Sequence, residues 1–294
     1  MKKNNKQRIF LNSIIVFVNS IADKGIFVII SIVLARYFSV DDYGVYTTAL
    51  WYATFFSSFT NIGINQSVIR SINLESQYDR EHFANALLIK TVLAFIVYLS
   101  MVLSLFIISK TSSMYDGDTI YLILVFGIIR IGNEYLQVFK ALYEAREKFF
   151  TSSLILTSFS LSFLMGTVVV IFVNGSYFHV AYIRLGIVIA FIALYALLTF
   201  RSFQPRFDPK TLRRFIEGAV PFGLSTIFNN TYQRLNGIIL SLIHGTVYTG
   251  IFQNGFIFLS TLQFIPSEFR RVLLPFLYKN AIDKKAHMFQ FAFE

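Results

Sequence analysis

The stretch Ile9–Phe38 constrains this chain most. It is thirty residues of mainly apolar sequence, and a helix needs only about twenty to cross a bilayer. Yet Asp23, Lys24 and Gly25 stand at its middle. A charge at the centre of a spanning helix costs about 2.5–3.5 kcal/mol on insertion scales. A plain anchor has no use for two. The stretch must therefore face something polar inside the membrane, either a charged neighbouring helix or a water-filled cavity. Adjacent helical residues point about 100° apart, so Asp23 and Lys24 cannot share one narrow stripe. One reading places one of them in a cavity, with Gly25 easing a bend. The other pairs each with a neighbouring helix as a structural ion pair.

Seven further apolar segments follow: Gly44–Ile69, Phe83–Ser109, Thr119–Tyr143, Phe150–Val173, Phe178–Phe200, Gly218–Ile243 and Val247–Tyr278. Each is long enough to span as a helix. Alternating period-2 patterns are lacking, which argues against a β-barrel. Connections are short and leave no room for a soluble domain. Only 14% of residues are charged, against about 25% in soluble domains. The fold class expected is therefore all-α integral membrane, with about eight transmembrane helices. Cysteine is absent and the histidines, His82, His179, His244 and His287, lie far apart. No disulfide, metal site or cofactor is expected. No Gly-x-x-x-x-Gly-Lys-Ser/Thr loop occurs, so ATP hydrolysis of that kind is not expected.

The formal net charge of +10 could suggest a nucleic-acid partner, but the positions of the basic residues argue against one. With the N-terminus placed inside, the inner segments hold seventeen Lys and Arg, from Lys2 to Lys285, while the outer loops hold only Arg36 and Lys110. That asymmetry is the signature of cytoplasmic loops in a multi-pass protein of the cell membrane. Lys90, Arg184, Arg270 and Arg271 stand close enough to a helix end to snorkel. Asp23, Lys24, Arg130, Glu134 and Arg234 stand near mid-depth and cannot. Arg130 and Glu134 are four apart and face one way. Either they neutralise each other, or a substrate phosphate takes the arginine and leaves the glutamate to a proton or cation. Arg234 has no acid within a turn on its own helix. Its partner is either Asp23 or a phosphate, which a guanidinium grips bidentately. The five mid-depth residues are the candidate substrate-binding set.

Gly44-Val45-Tyr46 matches Gly250-Ile251-Phe252, each in a turn on the same side with the same orientation. The match suggests a parallel repeat of six helices per unit. On that reading residues 1–210 form a six-helix lobe, and residues 211–294 hold the first two helices of a second lobe.

Three stretches carry a family resemblance. They are Ala35 to Tyr46, Asn61 to Arg70, and Pro221-Phe222-Gly223-Leu224 through Tyr232-Gln233-Arg234-Leu235-Asn236. The chain resembles the oligosaccharide flippases of polysaccharide biosynthesis, related to O-antigen flippases, in the multidrug/oligosaccharidyl-lipid/polysaccharide exporter superfamily. The resemblance implies two six-helix lobes around a cavity and alternating access, not an enzyme. It also implies an undecaprenyl-pyrophosphate-linked oligosaccharide as cargo. Membrane lipid, a polysaccharide polymerase and glycosyltransferases would be its partners. Family members have twelve or more helices where eight are readable here, so the second lobe is expected to be partial.

Other readings compete. One is an exporter of another cargo, such as a drug. Another is a truncated, non-transporting membrane subunit. A membrane enzyme would need paired acids on a large extramembrane loop. Asp116-Gly117-Asp118 resembles the Asp-x-Asp of nucleotide-sugar enzymes but reads first as a solvated turn, and Asn174-Gly175 reads as a turn likewise.

The asymmetry of basic residues gives a direct expectation. Single cysteines at Ser112 and Gly175 should react with an impermeant thiol reagent in intact cells, and cysteines at Gln77 and Glu144 should not. Labelling at Gln77 would reverse the assigned orientation.

Overall fold

The computed structural model describes residues 2–74, 76–111, 115–201, 206–208, 212, 215–216, 223 and 234–262. Most of Gly218–Ile243, the second half of Val247–Tyr278, and Ser112, Arg270 and Arg271 lie outside the described residues. The described residues form α1 (Lys2–Tyr37), α2 (Val40–Ser58), α3 (Ile64–Leu74), α4 (Asp79–Thr111), α5 (Gly117–Ala145), α6 (Phe149–Phe172) and α7 (Tyr177–Phe200). A 3-10 turn, Ser76–Tyr78, precedes α4. Two further helices follow, α8 (234–244) and α9 (246–262). No strand occurs among the described residues. The protein is an all-α, multi-pass membrane protein, and five of these helices are long and apolar enough to cross a bilayer.

Local chemistry sets the boundaries. Ser39 caps α2 by accepting from the Asp42 N–H at 3.1 Å, and Asp41 and Asp42 complement the dipole of the first turn. Asp116 caps α5 by accepting from the Thr119 N–H at 2.8 Å. Asp118 accepts from the Tyr177 hydroxyl at 3.3 Å. The Asp116-Gly117-Asp118 segment is thus a helix start. Asn174 takes a positive φ of 51°, and the Gly175 N–H donates to the Val170 carbonyl at 2.8 Å, so Asn174-Gly175 is a turn.

Gly44–Ile69, expected as one helix, is broken. α2 stops at Ser58 and α3 starts at Ile64. Gly63 adopts a φ of 68° and donates to the Asn61 carbonyl at 2.8 Å, a left-handed turn that interrupts the ladder. The expected bend at Gly25 does not break α1, which is helical through Asp23-Lys24-Gly25.

Contacts between turns define the two ends of the bundle. At one end the Tyr37 hydroxyl donates to the Gly175 carbonyl at 2.9 Å, and Tyr115 and Ser241 share a 2.5 Å hydrogen bond. We call this the Ser39 end. At the opposite end Arg146 bonds Asp79 at 2.5 Å, and the Arg206 N–H donates to the Arg80 carbonyl at 3.4 Å.

Two apolar clusters fill the interior. The one nearer the Ser39 end joins Leu34, Tyr46, Leu122, Phe126, Ile129 and Val188. The other joins Val68, Phe83, Leu136, Phe139, Leu142 and Tyr195. α5 contributes to both and α2 packs against it along its length, buried over most of its own surface. That burial explains how a helix with so many Tyr and Thr residues sits inside a membrane protein. α4 turns the opposite kind of face outward, with Phe95 71% exposed, as lipid contact requires.

Glycines set how α8 and α9 meet α2. A Cβ at Gly44 would stand 2.6 Å from the Thr246 carbonyl oxygen, and one at Gly250 would stand 3.1 Å from the Gly44 Cα. A Cβ at Gly237 would stand 2.3 Å from the Trp51 ring, and one at Gly223 2.2 Å from the Ile62 side chain. Trp51 is 3% exposed, between Gly237 and the Phe252 and Phe256 rings. Small residues permit this close backbone approach. Gly44→Val should cost about 1–3 kcal/mol by overpacking against backbone that cannot rotate away. A thermal unfolding midpoint of the purified protein several degrees below wild type would bear this out, and an unchanged midpoint would disprove it.

Candidate anion-binding site

Charged side chains follow one another down α5, and most find a partner. Glu134 pairs with Lys90 of α4 at 3.0 Å. Lys140 pairs with Glu144 at 3.8 Å and lies within electrostatic reach of Asp23 on α1. Arg146, just past the helix, pairs with Asp79. Arg130 differs. It makes no hydrogen bond or ion pair among the described residues, and its Nε is buried without a partner.

The 130/134 pair therefore resolves differently from either expectation. Glu134 is committed to Lys90 across the helix interface, not to Arg130 four residues away. Lys90 itself, expected to snorkel, has a fully buried side chain. It points inward because an acid waits there. The pair occupies the level on α5 where the apolar clusters part, between Ile129 and Leu136.

Arg184, also expected to snorkel, does not. It is 6% exposed, with its guanidinium carbon 4.6 Å from the centre of the Phe163 ring and its Nε unpartnered. The low charge density of a guanidinium and the Phe163 face make this tolerable, the ring contributing about 2 kcal/mol when desolvated. Sequence reasoning missed it because Arg184 stands only seven residues into α7, where a helix end is within reach. The signal available was the lack of any acid on that segment.

Arg234 opens the described part of α8 and is half-buried. No acid among the described residues pairs with it, and Asp23 is not its partner: Asp23 lies against Ser160 of α6, near Lys140 and Lys24. Lys24 is exposed on α1. Asn19 and Thr157 bond beside this contact, so polar groups hold α1 to α6.

Arg130 lies within electrostatic reach of both Arg184 and Arg234. Measured from the Ser39 end, Arg130 stands about 20 Å down its helix, Arg184 about 10 Å and Arg234 about 15 Å. α5, α7 and α8 thus bring into one region of the interior three guanidinium groups that have no ion pair among the described residues. Like charges in a poorly screened interior repel, so the arrangement is stable only with an anion or water among them. The five sequence candidates split accordingly. Arg130 and Arg234 come together, Glu134 is drawn to Lys90, and Asp23 is drawn to Ser160.

Lys90→Met should destabilise the protein by about 3–5 kcal/mol, because it strands Glu134 in the interior. The double change Lys90→Met with Glu134→Leu should recover most of that loss. Detergent-solubilised protein levels and unfolding midpoints of the three variants measure this, and a double variant no better than the singles would contradict it.

Two solved structures share the fold. A transporter of the multidrug/oligosaccharidyl-lipid/polysaccharide superfamily from Pyrococcus furiosus Vc1, described as having a binding pocket of reverse polarity, matches with a TM-score of 0.60 at 12% identity. The match covers 91% of this chain and 71% of that one. A multidrug-resistance MATE family transporter in an inward-facing conformation matches with a TM-score of 0.51 at 14% identity, over 82% of this chain and 57% of that one. No protein of curated function matches the sequence. The family model for polysaccharide biosynthesis proteins, however, matches residues 9–280. That span takes in the buried charges of α5, the unpaired arginines and the glycine contacts alike, and the chain belongs to the polysaccharide biosynthesis protein family.

Proposed function

We propose that this chain acts in a membrane translocase that moves undecaprenyl-pyrophosphate-linked oligosaccharide across the bacterial cytoplasmic membrane by alternating access. One observation carries the reading: Arg130 and Arg234 lie within electrostatic reach of each other, neither forms an ion pair among the described residues, and Glu134, the carboxylate near Arg130, is bonded to Lys90. Pyrophosphate supplies the missing negative charge, and its oxygens match the guanidinium fork. Arg184, buried behind them, adds to the positive field. Glu134 stays out of the way because Lys90 holds it, which leaves Arg130 free for phosphate.

Residues 1–210 are read as a six-helix lobe and residues 211–294 as the start of a second, with the N-terminus cytoplasmic from the distribution of Lys and Arg. Lys24, exposed on α1, lines the same path, and Asp23 anchors that helix to α6. The protein performs no covalent chemistry on this reading. It works beside a polysaccharide polymerase and glycosyltransferases. An exporter of a different anionic cargo is the alternative, and it differs only in what the arginines grip.

If pyrophosphate is the partner, Arg234→Lys and Arg130→Lys should each cut export about ten- to hundredfold, since an ammonium keeps the charge but loses a charged hydrogen bond worth about 1.5–3 kcal/mol. Adding Asp23→Ala to Arg234→Ala should restore nothing. Surface polysaccharide and membrane protein level, measured in a strain lacking the chromosomal copy, decide the matter. Full export by Arg234→Ala at normal protein level would remove that residue from the site.

A further inference from the structure

A cavity of about 10 Å³ lies nearer the Ser39 end than the Arg130 region. Arg184 lines it, together with Ser31 of α1, Tyr43, Tyr46 and Thr47 of α2, and Gln253 of α9. The Thr47 hydroxyl is spent on the Tyr43 and Gly44 carbonyls, at 2.8 and 3.1 Å. Among the described residues, no hydrogen bond engages the side chains of Tyr43, Tyr46 or Gln253. Among the described residues the wall thus presents a guanidinium, two phenols and an amide, all able to donate, and no carboxylate.

We propose that this cavity holds one small inorganic anion of halide size. A guanidinium is not deprotonated in proteins, so Arg184 keeps its charge although it is 6% exposed. Phe163 supplies a ring face but no counter-charge. Arg130, within electrostatic reach, makes the position worse. A water in the cavity would satisfy a hydrogen-bond donor but bring no charge. The space is about that of one water, far too small for a phosphate or a sugar; a halide, larger than a water, enters only when the flexible Arg184 and Gln253 side chains draw back. Because Gln253 belongs to α9 and the phenols to α2, the anion ties the two helices together beside the Gly44–Gly250 contact. It therefore favours the state in which the Ser39 end is shut. The cavity lies toward the Ser39 end from Arg130 and Arg234, and the proposal does not depend on phosphate binding there.

The test is thermal unfolding of the purified protein in detergent, titrated with sodium chloride or bromide against sodium gluconate at constant ionic strength. Gluconate is too large for the cavity. Halide should raise the unfolding midpoint saturably, and Arg184→Gln should abolish the rise. Gln253→Leu, which keeps the charge, should raise the half-saturating halide concentration about tenfold, as loss of one hydrogen bond to a charged group implies, and it serves if Arg184→Gln does not fold. Inorganic phosphate acting at Arg130 and Arg234 should still stabilise Arg184→Gln, which separates the two sites. Equal midpoints in chloride and gluconate for the wild type, or a halide effect that survives both substitutions undiminished, would overturn the proposal.

Discussion

The cost of a charge away from water governs this structure. α5 runs through the centre of the bundle, and its polar groups cannot all reach solvent. Those nearer the Arg146 end are matched by acids or bases from α4 and from their own helix. Lys90 and Glu134 show how tight the matching is, with a 3.0 Å contact at a level where neither apolar cluster could accept a lone charge. Such a pair adds little net stability over an apolar one, because desolvating two ions offsets most of their attraction. Its consequence is specificity. It ties α4 to α5 at this level and engages Glu134, the acid four residues from Arg130 on the same helix. The unpaired guanidinium is thus a product of the pairing elsewhere.

The second constraint is how closely α8 and α9 approach α2. At Gly44 and Gly237 a single extra carbon would overlap a neighbour across this interface, and at Gly250 the neighbour would have to shift. Gly44 and Gly250, which correspond in the internal sequence match, touch each other. On the proposed two-lobe reading, these would be equivalent residues of two repeats meeting near a shared axis. Contacts built on glycine are also flat and carry few interlocking side chains, so they can part without unpicking a packed core. The aromatic side chains around Trp51 supply the area that the glycines lack.

Much of this was legible in the sequence, and the failures share a cause. The helical class, the long apolar helices and the turn at Asn174-Gly175 follow from composition, length and turn chemistry, all local properties. Arg130 and Arg234 stood out as charges too deep to reach an interface. What the sequence did not reveal was which charges pair. Lys90 and Glu134 are forty-four positions apart, and no local rule joins them. The four-residue spacing of Arg130 and Glu134 pointed to the wrong partner because tertiary packing offered a closer one. Arg184 was misjudged for a related reason: snorkelling depends on what surrounds the helix, and α7 turns that position toward Phe163 instead of the interface. The break at Gly63 was hidden inside a continuous apolar run, where only the glycine itself marks a residue able to take the left-handed turn.

Depth links the two constraints. Going from the Ser39 end inward, the glycine contact comes first, then Arg184 about 10 Å along its helix, then Arg234 and Arg130 at about 15 and 20 Å. The positive charge therefore lies behind the closure at that end. On the proposed function, an anion arriving from the opposite end meets Arg130 first, at the boundary between the apolar clusters, with the close approach of α2 and α9 beyond it. Repulsion among the guanidinium groups works against that closure, while the aromatic contacts and the Tyr115–Ser241 hydrogen bond hold it. On the proposed function, an anion bound there relieves this repulsion, and the balance at the Ser39 end then depends on which of the three arginines is neutralised. Charge placed this way is the physical link by which the proposed cargo, held in the interior, acts on the packing at the rim.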